Sequence, residues 1–239
     1  MTIFEQLDED ILFPSGDGKP MAENTEQYRW IVIIKENLEI LFAGVPNVFI
    51  AGDLLWYPVH SQLISPTAPD VMVVFGRPKG KRSSYRQWNE ENIAPQIVFE
   101  ILSPSNDAKE MERKLVFYNT YGVEEYYIYN PQILQFDGWV RQNGNLTKLW
   151  DVDGFVSPRM GIKFETAQGE LVIYRPDGQR FLSSVELEQR FQEERVRREQ
   201  TELLLEQERQ RAEQERQRAE QMAAYLRSIG VDPDDIGGG

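Results

Sequence analysis

The sequence predicts one globular α/β domain followed by a long charged helix. Apolar segments with helical or strand spacing continue as far as residue 182, and from residue 183 the composition changes abruptly to Glu, Gln and Arg. The 239 residues exceed the usual single-domain size of about 100–200 residues, and an extended helix accounts for the excess. The expected limits are a polar lead at 1–23, the domain at 24–182, a charged helix at 183–228 and a flexible tail at 229–239.

The composition restricts the class of protein. A hydrophobic content of 41% with 11% aromatic residues is enough to bury a core. The formal net charge of −13 disfavours a protein that coats nucleic acid nonspecifically, but it permits a local basic groove. The absence of cysteine excludes disulfides, zinc ribbons and thiol nucleophiles.

The N-terminal segment resembles neither a secretory signal nor a membrane anchor. Glu5, Asp8 and Glu9 stand where a signal would have a basic end and an apolar stretch. No apolar run reaches the roughly 20 residues that a membrane-spanning helix needs. We therefore expect a cytoplasmic protein without a membrane partner.

The elements of the domain follow from local spacing and from turn residues. Residues 24–44 predict a helix, because apolar side chains from Trp30 to Leu41 recur at helical spacing before a glycine. A second helix is expected between the cap candidates Ser105, Asn106 and Asp107 and Gly122. The predicted strands cover residues 48–57, 70–75, 96–102, 125–129, 135–141 and 146–150, with short strands near 162 and 171.

The charged segment is compatible with two kinds of helix. One position of a coiled-coil seam recurs every seven residues, at Leu205, Ala212, Ala219 and Leu226. The second seam position is mostly polar, and opposite charges three residues apart would stabilise a lone solvated helix. Association is favoured because the leucines that begin at Leu203 would otherwise be exposed, so we expect a homo-oligomer.

Two carboxylates in apolar strands are the first candidate site residues. Strand alternation places Glu100 on the same face as Val98, where an unpaired carboxylate is costly to bury. Asp70 is the first residue of the preceding apolar strand, which is predicted at residues 70–75. If the two strands are neighbours, Asp70 and Glu100 can bind one hard divalent cation, Mg²⁺ or Mn²⁺, with the backbone carbonyl of Ile101 as a further ligand.

Lys114 is the third candidate. At 100° per residue it lies in the middle of the apolar arc of its helix, between Phe117 and Tyr118, whereas a surface lysine normally lies opposite that arc. Taken singly, a snorkelling lysine, a buried ion pair or an exposed strand end is at least as frequent as a functional role. The occurrence of all three residues in the order Asp, Glu, Lys indicates a functional site more specifically than any one of them does.

The segments around these residues resemble the Uma2 family of restriction-endonuclease-like proteins. They are Ala-Pro-Asp70 with its Val-Met-Val-Val strand, Val-Phe-Glu100-Ile-Leu-Ser-Pro-Ser, Lys114, and Tyr-Gly-Val-Glu-Glu-Tyr-Tyr at 121–127. The resemblance implies a PD-(D/E)XK fold, a mixed β-sheet flanked by helices. It also implies that Asp70 and Glu100 are metal ligands and that Lys114 is the basic residue. In the parent motif the lysine stands two residues after the glutamate, where this chain has Leu102.

The leading hypothesis is a magnesium-dependent endonuclease that hydrolyses phosphodiester bonds in nucleic acid, with DNA as the expected partner. In such a site the metal polarises the phosphate and lowers the pKa of a bound water, while the lysine orients that water or stabilises charge. The alternative is a catalytically silent nuclease-fold binding or scaffolding protein assembled through its C-terminal helix, which Leu102 and the acidic charge favour. A metal-dependent hydrolase of another substrate stays open, because a fold does not determine a substrate.

Weaker candidates complete the predicted site. Asp53 could face it from an earlier strand, although a turn acid is about as frequent, and Glu36 on the first helix is a candidate outer ligand. A basic run, interleaved with Tyr85 and Trp88, could follow a phosphate backbone and stack bases, although such a run is more often a solvated hairpin. Its members are Arg77, Lys79, Lys81, Arg82 and Arg86.

Overall fold

The structure is a computed structural model that describes residues 11–16, 18, 24–166 and 169–230. Most of the predicted polar lead, and the predicted flexible tail from residue 231 onward, lie outside the described residues. The chain forms two compact units that divide between Ser183 and Ser184.

The first unit is built on a six-stranded mixed sheet, which confirms the predicted α/β class. The strand order is β1-β3-β5-β6-β7-β8. Only β5 and β6 run parallel within this sheet, because the helix α2 connects them as a crossover; its other neighbouring strands are antiparallel. The strands are β1 (Val48–Gly52), β2 (Trp56–Tyr57), β3 (Val71–Phe75), β4 (Tyr85–Arg86), β5 (Ile97–Ile101), β6 (Glu125–Asn130), β7 (Gln135–Gln142), β8 (Asn145–Lys148), β9 (Lys163–Glu165) and β10 (Val172–Tyr174).

Two helices cover opposite faces of this sheet. Side chains of α1 (Thr25–Leu41) form one hydrophobic core with every second residue of the central strands, such as Val73 and Phe99. Side chains of α2 (Ala108–Thr120) form a second core with the alternate residues, such as Val98. Because strand residues alternate between faces, Glu100 lies on the α2 side.

Local capping sets where both helices begin. The side chain of Asn24 accepts a hydrogen bond from the Gln27 amide, and that of Asp107 accepts one from the Glu110 amide at 2.7 Å. Among the three predicted cap candidates, Asp107 therefore caps α2.

The predicted single strand at residues 48–57 is wrong in one respect. The chain leaves the sheet after Gly52 and turns at Asp53, whose φ of 47° is incompatible with a strand, before the short strand β2 begins. β2 pairs with β4 in a separate two-stranded sheet. The turn therefore redirects Asp53 toward the start of β3.

The second unit is the helix α3 (Ser184–Ser228), which confirms the predicted C-terminal charged helix. Many of its large apolar side chains are exposed, including Leu203, Leu204 and Leu205. Among the described residues, no helix combines the length and the apolar character that crossing a membrane requires.

Candidate active site

Strand pairing brings the two predicted carboxylates together. In the antiparallel register of β3 and β5, Val71 lies opposite Phe99, so that the start of β3 meets the end of β5. Asp70 immediately precedes β3, and its Oδ2 accepts a hydrogen bond from the Ile101 amide at 2.6 Å. Asp70 and Glu100 are thus neighbours, as the prediction required.

Helix α2 supplies two partners for Glu100 from successive turns. The Lys114 ammonium donates to Glu100 Oε2 at 2.7 Å, and the Tyr118 hydroxyl donates to Oε1 at 2.5 Å. Residues four apart share one face of a helix, so both reach the same carboxylate. Thr67 is a further side-chain hydrogen-bond partner of Tyr118. The Glu100 side chain is only 2% exposed, whereas that of Lys114 is 18% exposed and reaches solvent.

The charges in this cluster shift one another's protonation. Burial raises the pKa of Asp70 to about 8; the Glu100 carboxylate adds to the rise, and Lys114 and the Ile101 amide oppose it. For Lys114, burial alone would lower the pKa, but the nearby Glu100 and Asp70 carboxylates outweigh burial and raise it. Lys114 therefore stays cationic, and Asp70 is largely protonated at neutral pH.

The donor set fits one hard divalent cation. Two buried carboxyl groups lie close enough for Glu100 to raise the pKa of Asp70, and a cation between them would relieve that repulsion. The Ile101 carbonyl accepts a hydrogen bond from Gln27 Nε2 at 2.9 Å, and a carbonyl oxygen has a second lone pair. Across the described ranges, no three His, Cys, Asp or Glu side chains form a group that could hold a metal ion. Backbone oxygen and water would have to complete the shell, as is usual for Mg²⁺.

The two weaker acidic candidates lie in different environments. The Asp53 amide donates to the Pro69 and Asp70 carbonyls at 3.1 and 3.3 Å, and the Asp53 carboxylate contributes to the raised pKa of Asp70. Asp53 thus borders the cluster. Glu36 lies on the exposed surface of α1 and pairs with Lys35 at 2.9 Å, so the structure does not bring it to the other carboxylates.

The predicted basic run makes contacts within the domain. Arg77 and Arg82 donate to the Glu90 carboxylate at 2.8 and 2.7 Å. Lys79 donates to the Phe42 carbonyl at 2.7 Å, and the buried Arg86 donates to the Phe13 carbonyl at 2.8 Å. Lys81 is exposed. Arg77, Lys79, Arg82 and Arg86 therefore help to hold loops of the domain together.

The sequence interpretation missed the phenols beside the carboxylates. In the sequence, Tyr118 is one of the apolar residues around Lys114 on the predicted helix. Its spacing of four residues from Lys114 indicates that both side chains lie on the same helix face. The Tyr126 hydroxyl is buried and has no hydrogen-bond partner among the described residues. Burial raises its pKa well above the usual value, and Glu100 and Asp70 raise it further.

Comparisons with known proteins found similar sequences and structures. Residues 36–152, which include Asp70, Glu100 and Lys114, match the model of the Uma2 family, described as "Putative restriction endonuclease". No curated protein matches the chain. A crystal structure of a "putative nuclease belonging to DUF820" from Anabaena variabilis ATCC 29413 is similar, with a TM-score of 0.45 and 16% sequence identity over 63% of this chain and 87% of that chain.

Proposed function

Because the chain belongs to the Uma2 family, we propose that it is a nuclease that hydrolyses DNA phosphodiester bonds with the help of a divalent cation. The observation that carries the proposal is the buried cluster in which Asp70 and Glu100 adjoin and Lys114 contacts Glu100. A lysine and two carboxylates in one apolar cluster are costly to maintain for stability alone. Such perturbed groups are candidates for chemistry.

Asp70, Glu100 and the Ile101 carbonyl would hold the cation. A bound Mg²⁺ or Mn²⁺ supplies Lewis acidity toward the scissile phosphate and lowers the pKa of a bound water. Asp70 must release its proton when the site is loaded, because a metal ligand has to be deprotonated. Tyr118 and Thr67 fix the orientation of the Glu100 carboxylate.

Lys114 is the group of the cluster that reaches the substrate. Its side chain is partly exposed, so its ammonium presents positive charge at the edge of the site, where a phosphate would approach. In this position it stabilises the negative charge that develops on the phosphate, or orients the attacking water.

Cleavage assays test this proposal. Purified protein is incubated with labelled single- and double-stranded DNA and with RNA, each with Mg²⁺, Mn²⁺ or a chelator. We expect DNA cleavage that requires metal and that falls at least about 100-fold in Glu100→Gln and Lys114→Ala, as when a charge-stabilising group is removed. Glu36→Gln, an exposed acid outside the cluster, is the matched control and should cleave normally. Unchanged cleavage by Glu100→Gln would remove the site.

A second candidate function is assembly through α3. Exposed apolar side chains recur along this helix, among them Leu203, Leu205 and Met222, and such a surface is costly in water. We propose that α3 pairs with α3 of a second copy as a coiled coil. Sedimentation should show more chains per particle for the full chain than for a chain that ends at Ser183. An equal number of chains per particle in both proteins would contradict the pairing. Pairing without any nuclease activity would favour the scaffolding alternative.

A further inference from the structure

The Tyr126 hydroxyl is an unusual buried polar group. Tyr126 is fully buried in β6, and its register partner in β5 is Val98, two residues before Glu100. Its hydroxyl has no hydrogen-bond partner in the part of the chain that the structure describes. Phenylalanine would fill the same space without the cost of burying an unpaired hydroxyl.

The ring of Tyr126 packs beside a member of the carboxylate cluster. Its ring packs edge-on against Tyr118 with 4.9 Å between centroids, and it stacks on Trp139 at 5.3 Å. These contacts hold the ring in place. Tyr118 itself donates to Glu100 Oε1, so one side chain links the Tyr126 ring to the carboxylate cluster, and the charges of Glu100 and Asp70 raise the pKa of Tyr126.

We infer that Tyr126 is a positioning residue whose hydroxyl donates a hydrogen bond to a water molecule in the outer hydration shell of the cation held by Asp70 and Glu100, since a water bound directly to the cation would itself be a donor. The inference rests on the proposed function, since the cation brings this water to the site. Buried polar groups without a protein partner in native folds commonly pair with water or serve a site. Outer partners of this kind tune both metal affinity and activity.

The chemistry of the phenol suits a donor. Burial and the carboxylate charges raise its pKa well above the usual value, so the hydroxyl keeps its proton and can donate at neutral pH. The donated bond would compensate for burying the hydroxyl only when the site is loaded. Tyr126 should therefore cost stability in the metal-free protein and contribute affinity in the metal-bound protein.

The test compares Tyr126→Phe with Tyr127→Phe. Tyr127 is the adjacent buried tyrosine, but its side chain lies in the core on the α1 side, and its hydroxyl donates to Glu125 at 2.7 Å. In chelator, the midpoint of thermal unfolding should stay or rise in Tyr126→Phe and should fall in Tyr127→Phe. Calorimetric titration with Mn²⁺ should show affinity weakened about tenfold in Tyr126→Phe and unchanged in Tyr127→Phe.

The outcomes separate this inference from the proposed function. Unchanged Mn²⁺ affinity in Tyr126→Phe overturns the inference, and so does a lower unfolding midpoint in chelator, which would indicate a structural hydrogen bond. If the unsubstituted protein binds Mn²⁺ and Glu100→Gln does not, the proposed site stands whichever way Tyr126 behaves. If the unsubstituted protein does not bind Mn²⁺, both are overturned.

Discussion

Replacing Lys114 by methionine should destabilise the protein more than replacing Glu100 by glutamine. Both changes break the same 2.7 Å ion pair, but they leave different groups behind. Lys114→Met leaves a carboxylate that is 2% exposed and cannot reach water. Glu100→Gln leaves an ammonium that is 18% exposed and can move toward solvent.

The magnitudes follow from this asymmetry. Removing one partner of a buried ion pair costs about 3–5 kcal/mol when the other charge stays buried. We assign this cost to Lys114→Met. Glutamine keeps an acceptor for the Tyr118 hydroxyl, so Glu100→Gln should cost only about 1–3 kcal/mol, the range for a lost buried hydrogen-bond partner. The double variant leaves no unpaired buried charge and should be more stable than Lys114→Met alone.

Urea denaturation at pH 7 in chelator measures these differences. The free energies of unfolding of the two single variants, the double variant and the unsubstituted protein form a double-mutant cycle. A larger loss in Glu100→Gln than in Lys114→Met would refute the reasoning. So would a double variant less stable than Lys114→Met, because the cost would then not come from an unpaired buried carboxylate.

Three further predictions follow from other contacts of the domain and of the carboxylate cluster. Burial alone would raise the pKa of Glu90, but its two arginine partners outweigh burial and lower the pKa. The Glu90 carboxylate therefore stabilises the fold at pH values above its ordinary pKa, and this stabilisation is lost as the pH falls through the lowered pKa. Glu90→Gln should therefore cost about 1.5–3 kcal/mol in urea at pH 7, and less in acid; an equal loss at every pH would contradict this. The pKa of Asp70 is raised from 3.8 to about 8, so the metal-free protein should lose stability as the pH rises between these values. Mn²⁺ affinity should then rise about tenfold per pH unit up to about pH 8, and a flat profile would exclude Asp70 as a ligand. Tyr118→Phe should destabilise the protein by about 1–3 kcal/mol, because it removes the hydroxyl bonded to Glu100, and an unchanged urea midpoint would contradict that role.

Periodicity and capping explain why much of the fold could be predicted. The helical spacing of apolar residues in α1 and α2, the cap at Asp107, and the alternation that puts Glu100 on an apolar face all depend on residues close in the chain. The local composition, rich in Glu, Gln and Arg, identified α3. They failed at Asp53, where a single residue with positive φ divides the predicted strand.

Long-range contacts decided the rest of the candidate site. The sequence placed Asp70 and Glu100 in two strands, but only the pairing of β3 with β5 makes them neighbours. The basic run offered no local sign that Glu90 would bind Arg77 and Arg82, because that contact depends on how the loop folds back.

The sequence by itself determined the element types, the apolar setting of Glu100 and Lys114, and the resemblance to a nuclease family. Tertiary structure alone decided that Lys114 contacts Glu100, that Glu36 faces solvent, and that Tyr126 packs against Tyr118. The physical reason is the range of the interactions. Helix and strand signals arise between residues a few positions apart, whereas a site arises where strand register and helix packing bring together side chains that are distant in the chain.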